Sequence, residues 1–288
     1  MRRDPPFYSA LDLIADCCSQ SAGPDWKTEW RHRNRKTPQQ LPSDRNMMRH
    51  FAVAIAYSQG ARSSIVRQLV RDPVFEKAFV GFYPRLLARK NPNVILTNYW
   101  AVLSHIRFRS KVIQIVKCAK VLIEISHEFD GFSSYLKSFR IPRRLRLRKD
   151  IDIFWERFDH LQKDLHEREM PFFRSTTSLL QLLLDLDFDS VKPDLIVMRL
   201  ARRIGIIECE TGETQLRMAV RKIQEFSVLR KIRAPVIDLQ ILAFGGQTGS
   251  RELLENRFCP SSDPCINTDC PVGNSNFCKA MISPIGTI

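Results

Sequence analysis

Val191–Ile206, VKPDLIVMRLARRIGI, is the stretch on which the reading of the fold turns. Leu195, Met198, Ile204 and Ile206 recur at helical spacing among basic residues, and Lys192-Pro193-Asp194 puts a proline and an acid where a helix begins. The expectation is a buried helix with one carboxylate at its mouth, Asp194, at the N-cap or in the first turn. Capping alone accounts for an aspartate there, at about 1 kcal/mol. A functional role needs a second argument.

Around that stretch lie 288 residues, enough for one large core or two lobes sharing a cleft. The net charge of +14 favours a polyanion, either nucleic acid or an anionic membrane surface. No apolar run approaches the length of a membrane span, and MRRDPPFYSALDLIADCC lacks the apolar core of a signal peptide. The chain reads as a soluble, intracellular monomer that keeps away from membranes. Four of its eight cysteines crowd into the last thirty residues. That asymmetry points to a metal or cluster site in a reducing compartment and away from a disulfide framework.

Helical periodicity runs along most of the chain. Phe7–Cys18 is a short amphipathic segment, followed by a polar stretch whose basic run Arg31, Arg33, Arg35 and Lys36 is either a solvated face or an arm that touches phosphate. Proline, glutamine and serine around 37–43 mark a linker. Asn46–Gly60 forms a buried helix through Met47, Phe51 and Ile55, and the pattern continues over 65–82, 94–103, 106–122, 151–165, 179–186 and 217–229. Ile237–Gly249 reads as apolar and turn-rich. Arg140–Lys149, RIPRRLRLRK, is the densest basic cluster, with six cations that are either solvated or grip phosphates without sequence choice.

Taken together, D-L-I-V-M-R-L-A-R-R-I-G-I resembles the D-T-H-V-x-R-V-A-x-R-L-G segment of the helix-hairpin-helix DNA glycosylases, the superfamily of endonuclease III. The resemblance puts Asp194 on that family's catalytic aspartate and Arg199 on its usual arginine. Ser58-Gln59 falls on an L-S-x-Q whose glutamine enters the gap left by an extruded base, although Gln59 can equally be a helix end. Arg109-Ser110-Lys111 matches an R-x-K, and HEFDGFSSYLKSF, 127–139, resembles the 3-methyladenine DNA glycosylase I branch in particular. Met170–Ser178, MPFFRSTTS, stands where the family carries its hairpin L-P-G-V-G-x-K-T-A, agreeing at Pro171 and Thr177. Phe172 and Arg174 replace the two glycines, so a differently shaped hairpin is expected, with Arg174 supplying by charge what exposed amides would supply by close approach. Thr176 replaces the lysine that forms a Schiff base in bifunctional members, which predicts a monofunctional enzyme.

The resemblance implies an all-α, two-lobed fold: an N-terminal arm, 1–46, packing on the second lobe, a helical barrel over 47–186 that includes the hairpin, and 187–288 carrying Asp194 and the cysteines. It implies an intracellular DNA glycosylase that binds duplex DNA through Gln59, Arg143, Arg144, Arg174, Thr176 and Arg199 and flips a damaged base out of the stack. Trp155, Phe172 and Phe173 are candidates to stack on that base, or else they are core. Asp194 would stabilise the positive charge that develops on the sugar, or activate water. Alkylated purines and a bulky hypermodified pyrimidine of foreign (phage) DNA are the two substrate readings, repair and phage defence the two settings. A non-catalytic binder of distorted DNA and a lyase using another amine are the alternatives in function. Cys259-x5-Cys265-x4-Cys270-x7-Cys278 stands where the family holds a [4Fe-4S] cluster, and because every gap differs from the family's, a structural zinc ion stays open beside it.

Overall fold

The computed structural model describes residues 4–246, 253–254, 258–259, 270–275 and 277–278. The chain is all-α, its regular structure among the described residues being helix and short 3-10 turns, with one isolated bridge from Ala22 to Leu254. In order the helices are α1 (Pro6–Gln20), α2 (Trp26–Arg33), α3 (Asp44–Tyr57), α4 (Ser63–Leu69), α5 (Pro73–Ala78), α6 (Pro84–Leu87), α7 (Pro92–Leu103) and α8 (Arg109–Phe129). There follow α9 (Phe132–Ser138), α10 (Arg148–Glu167), α11 (Thr176–Asp185), α12 (Leu195–Arg203), α13 (Glu213–Arg230), α14 (Ala234–Gly245) and α15 (Pro271–Asn274).

These helices form two compact units whose limits differ from the three consecutive blocks expected at 46 and 186. Among the described residues, one unit holds those up to 39, 142–153 and those from 180 on; the other holds 40–141 and 154–179. The basic loop after Ile141 therefore sorts with the unit that carries Asp194.

The 40–141 unit is built on α3 packed against α8, with α6, α7 and α9 also on α8. Both central helices owe this to spacing. Met47, Met48, Phe51, Ala52, Ile55 and Ala56 line one face of α3, and Val112, Ile115, Val116, Ala119 and Leu122 line α8, all of them buried. Starts are set locally: the Asp72 and Asn91 side chains accept from the amides of Val74 and Asn93, each with a proline at the first helical position. The Asp44 carboxylate ties the start of α3 to two neighbours, accepting from the Phe132 amide at 2.9 Å and from the Ser126 hydroxyl.

In the other unit α14 is the hub, packed on by α1, α2, α12 and α13. Eleven of its twelve residues are buried, so the segment expected to be turn-rich is a helix. A helix covered on every side has no polar face, and the 3.6-residue period that would reveal it is absent. The polar stretch after α1 is likewise helical in part, as α2. On α12 the buried residues are Val197, Met198, Leu200, Ala201 and Arg203, whereas Leu195, expected to point inward, is 81% exposed beside Asp194.

Candidate functional site

Asp194 is placed by two turns. Its own amide donates to the Lys192 carbonyl at 2.8 Å around Pro193, and its carbonyl accepts from Met198 at 2.9 Å to open α12. Oδ1 accepts from the Ile196 and Val197 amides at 3.0 and 3.2 Å, which makes Asp194 the N-cap. Oδ2 is left over, 3.8 Å from the Lys192 ammonium, and the side chain is 25% exposed. One oxygen is thus committed to the helix start and the other meets, among the described residues, only the Lys192 side chain, an arrangement that fits both capping and electrostatic work on a ligand.

Behind it lies a carboxylate that the sequence reading passed over. Asp238, on α14, is fully buried; Oδ1 accepts from the Lys192 amide at 3.0 Å and Oδ2 lies 3.4 Å from the Arg33 guanidinium. Burial pushes its pKa up to about 6 despite Arg33, with the Asp194 charge adding in the same direction. The available signal was a lone acid inside the apolar run APVIDLQILAFG. Arg33 belongs to the basic run of α2, so one cation of that run is turned inward toward this carboxylate.

Arg199 donates through Nη2 to the Gly245 carbonyl at the end of α14. Arg143 donates to the carbonyls of Gln39 and Leu186, both at 2.7 Å, with its guanidinium over the Phe188 ring. Arg144 donates to the Asp187 carbonyl and to its carboxylate at 2.8 Å. The last two were expected on phosphates. The structure engages them internally instead, because Asp187 and Asp189, some forty residues on, offer carboxylates that the local sequence of the loop does not reveal.

In the 40–141 unit Gln59 is exposed and left-handed, at φ 52°, in the turn after α3. What holds the turn is Lys111, fully buried, whose ammonium donates to the Ala56 carbonyl at 3.1 Å and the Ser58 carbonyl at 2.6 Å. Burial, with Arg107 nearby, brings its pKa down to about 8. Arg174 is exposed, and its carbonyl and the Thr176 hydroxyl both accept from the Gln162 amide, at 3.1 and 2.9 Å. Thr176 is buried at the first turn of α11. Trp155 and Phe173, expected as possible stacking rings, are core: Trp155 packs on Phe154 and Phe158, and Phe173 lies on Phe51 with ring centroids 4.6 Å apart. Of the three rings only Phe172 keeps partial exposure.

Comparison with known families decides the identity of the unit just described. The family model described as methyladenine glycosylase matches residues 41–182. Residues 41–182 belong to the methyladenine glycosylase family. No curated protein and no solved structure matches the chain. At family level the activity is that of a DNA glycosylase in base excision, and the partner is DNA. The methyladenine glycosylase segment nearly coincides with the 40–141 and 154–179 unit. It contains Gln59, Lys111, the hairpin and Thr176, and it ends before Asp194. No helix among the described residues is long and apolar enough to cross a membrane.

Of the four C-terminal cysteines, Cys265 lies outside the described residues. Cys270 is buried at the start of α15, and the Cys259 sulfur accepts from Arg203 at 2.9 Å, a buried cation of α12. Among the described residues no three His, Cys, Asp or Glu side chains are gathered as a metal site.

Proposed function

We propose that the protein is a monofunctional DNA glycosylase that hydrolyses the N-glycosidic bond of an extruded alkylated purine and leaves an abasic site. The observation that carries this reading is the division of labour at Asp194, whose Oδ1 is fixed by two amides while Oδ2 meets, among the described residues, only the Lys192 side chain, in a chain that also carries a methyladenine glycosylase segment. When the bond to the base breaks, positive charge grows on the sugar. A carboxylate held still beneath it stabilises that charge without reorganising, and can hold the attacking water by a hydrogen bond. The α12 amides hold the acid at one angle, and Leu195 offers an apolar shelf beside it. Gln59, on a turn pinned by Lys111, is the side chain assigned to the gap left in the duplex.

Hydrolysis alone is expected. Thr176, which stands where the resembled motif carries lysine, has no amine to form a Schiff base. The test is abasic-site formation on a panel of duplexes carrying alkylated purines or bulky modified pyrimidines, with Asp194→Asn beside the parent and borohydride added to trap any covalent adduct. Release of alkylated purine by the parent alone, without trapping, is expected; equal inertness of the two proteins on every duplex overturns the reading in favour of a binder of distorted DNA. For the cysteines the same reading takes a structural [4Fe-4S] cluster, supported by the Arg203 cation on the Cys259 sulfur. Iron, sulfide and zinc analysis of the purified chain checks it, one zinc and no sulfide assigning zinc instead.

A further inference from the structure

The unit that carries Asp194 has a second feature, which needs no chemistry at that carboxylate. A cavity of about 590 Å³, within the range of small-ligand sites, opens where three stretches far apart in sequence meet: the turn after α2, the loop before α10 and the turn from α13 to α14. Its floor is a lattice of paired charges. Arg233 donates to Asp187 and to Asp189, both at 2.8 Å, and also to the carbonyls of Arg33 and Arg35; Arg144 donates to Asp187 at 2.8 Å. Burial works to raise the Asp187 pKa, but the hydrogen bonds from Arg144, the Gln39 amide and Arg233 outweigh it and hold the carboxyl below its ordinary value. The lattice is therefore charged on both sides, and it pins all three stretches in place.

The rim is charged differently. Lys36, Arg146 and Lys231 stand one on each stretch, all exposed, and among the described residues none has a carboxylate partner. The one acid in the lining, Asp189, has both oxygens taken, Oδ1 by Arg233 and Oδ2 by the Leu145 amide at 2.9 Å. Three unpaired cations held around one cavity by rigid anchors repel each other, and the walls hold no free carboxylate to relieve them. A ligand with several linked negative charges relieves all three together.

We infer that this cavity is a site for linked phosphate groups, with Lys36, Arg146 and Lys231 as its cationic contacts. Two sources carry that chemistry, a nucleic-acid backbone and a free polyphosphate. The charge on the rim, with Arg143 and Arg144 consumed in structure, places the working part of the basic loop at Arg146.

The test uses the full chain and the triple variant Lys36→Ala, Arg146→Ala, Lys231→Ala. Because these side chains are exposed and unpaired, the variant is expected to unfold at the parent's temperature; the single substitutions serve if it does not. Anisotropy of a labelled duplex over a range of salt gives the slope of log affinity against log salt, and calorimetry with inorganic tripolyphosphate gives binding of the free anion. Each lost phosphate contact lowers the slope by about 0.9, so the triple variant is expected to lose nearly 3. A fall in slope assigns the backbone. Tripolyphosphate bound by the parent and lost in the variant, with the slope unchanged, assigns a free polyphosphate. No change in either measurement overturns the inference, as does an equal fall in the control Lys90→Ala, Lys117→Ala, Lys120→Ala, which removes the same charge elsewhere. Both measurements read binding alone and need no base excision, so failure of the glycosylase reading and failure of this one are separately visible.

Discussion

Asp194→Asn removes a charge and keeps a cap. The asparagine carbonyl can accept from the Ile196 and Val197 amides as the carboxylate Oδ1 does, and the two residues are nearly equal as N-caps. Two things are lost. An anion at a helix start is worth about 0.3–1 kcal/mol, and the half-exposed Lys192 contact at 3.8 Å adds at most a few tenths. The asparagine variant should therefore lose about 0.5–1 kcal/mol of stability. Asp194→Ala loses the cap as well, and falls by about another 1 kcal/mol.

Catalysis should divide the same variants in another way. Removing one fixed group that faces developing charge costs roughly 10²–10³ in rate, about 3–4 kcal/mol. Asparagine and alanine both lack the charge, so single-turnover release of alkylated purine should drop by that factor in both and differ between them by a few-fold at most. Urea unfolding measured on the same preparations should rank parent, asparagine, alanine in steps of about 1 kcal/mol. Two results would refute the reasoning. An asparagine variant that cleaves at the parental rate leaves Asp194 as a cap alone. Rates that follow the urea ranking, with alanine far below asparagine, show that the helix start matters and the charge does not.

Three further outcomes follow from the buried charges. Lys111→Met strips the Ala56 and Ser58 carbonyls of their donor and should cost about 1–3 kcal/mol in urea unfolding, with weaker binding to a duplex containing an abasic site as the Gln59 turn loosens. Arg233→Met leaves Asp187 and Asp189 short of a counter-charge and should cost about 3–5 kcal/mol; adding Asp187→Leu should recover part of that loss, and a fully additive double variant would show that the lattice is not coupled. Asp238, held near 6 by burial, keeps a proton that the unfolded chain releases near pH 4. Its contribution is therefore most favourable below about 4 and is lost as pH rises through about 6, by at most about 3 kcal/mol. Asp238→Asn should flatten that part of the stability profile, as urea midpoints from pH 4 to 8 would show.

What the sequence made legible was whatever is local. The start of α12 could be read from Lys192-Pro193-Asp194 because a proline and an acid act on the next turn and no farther. The faces of α3 and α8 could be read because each is half covered and keeps its period. Where an outcome depends on a distant partner, the residues alone misled. Arg143 and Arg144 look like their neighbour Arg146, and only Asp187, Phe188 and the Gln39 and Leu186 carbonyls decide which of them turn inward. Asp238 hides in a run whose apolar character hides the helix as well, and Trp155 and Phe173 share their chemistry with rings that do bind bases.

The hairpin shows the same division within four residues. A bond of 2.7 Å from the Phe173 amide to the Pro171 carbonyl closes a γ-turn with Phe172 at its centre, at φ 65°. This is the strained form of that turn, one that a glycine enters freely and a phenylalanine enters at about 1–2 kcal/mol. The conformation is imposed from both sides. Met170 and Phe173 are fully buried, Met170 donates to the Leu165 carbonyl, and the Cys118 thiol reaches the Pro171 carbonyl at 3.7 Å. So where the resembled motif carries glycine this chain holds a positive-φ phenylalanine by anchoring, with a ring where glycine would leave bare backbone. The Phe172 side chain blocks close approach of a phosphate to that amide and offers an aromatic face in its place, edge-on to Phe173 and partly open to solvent. Its counterpart in charge is Arg174, two residues on and exposed, so the hairpin can meet a nucleotide by stacking and by charge without the amide cradle.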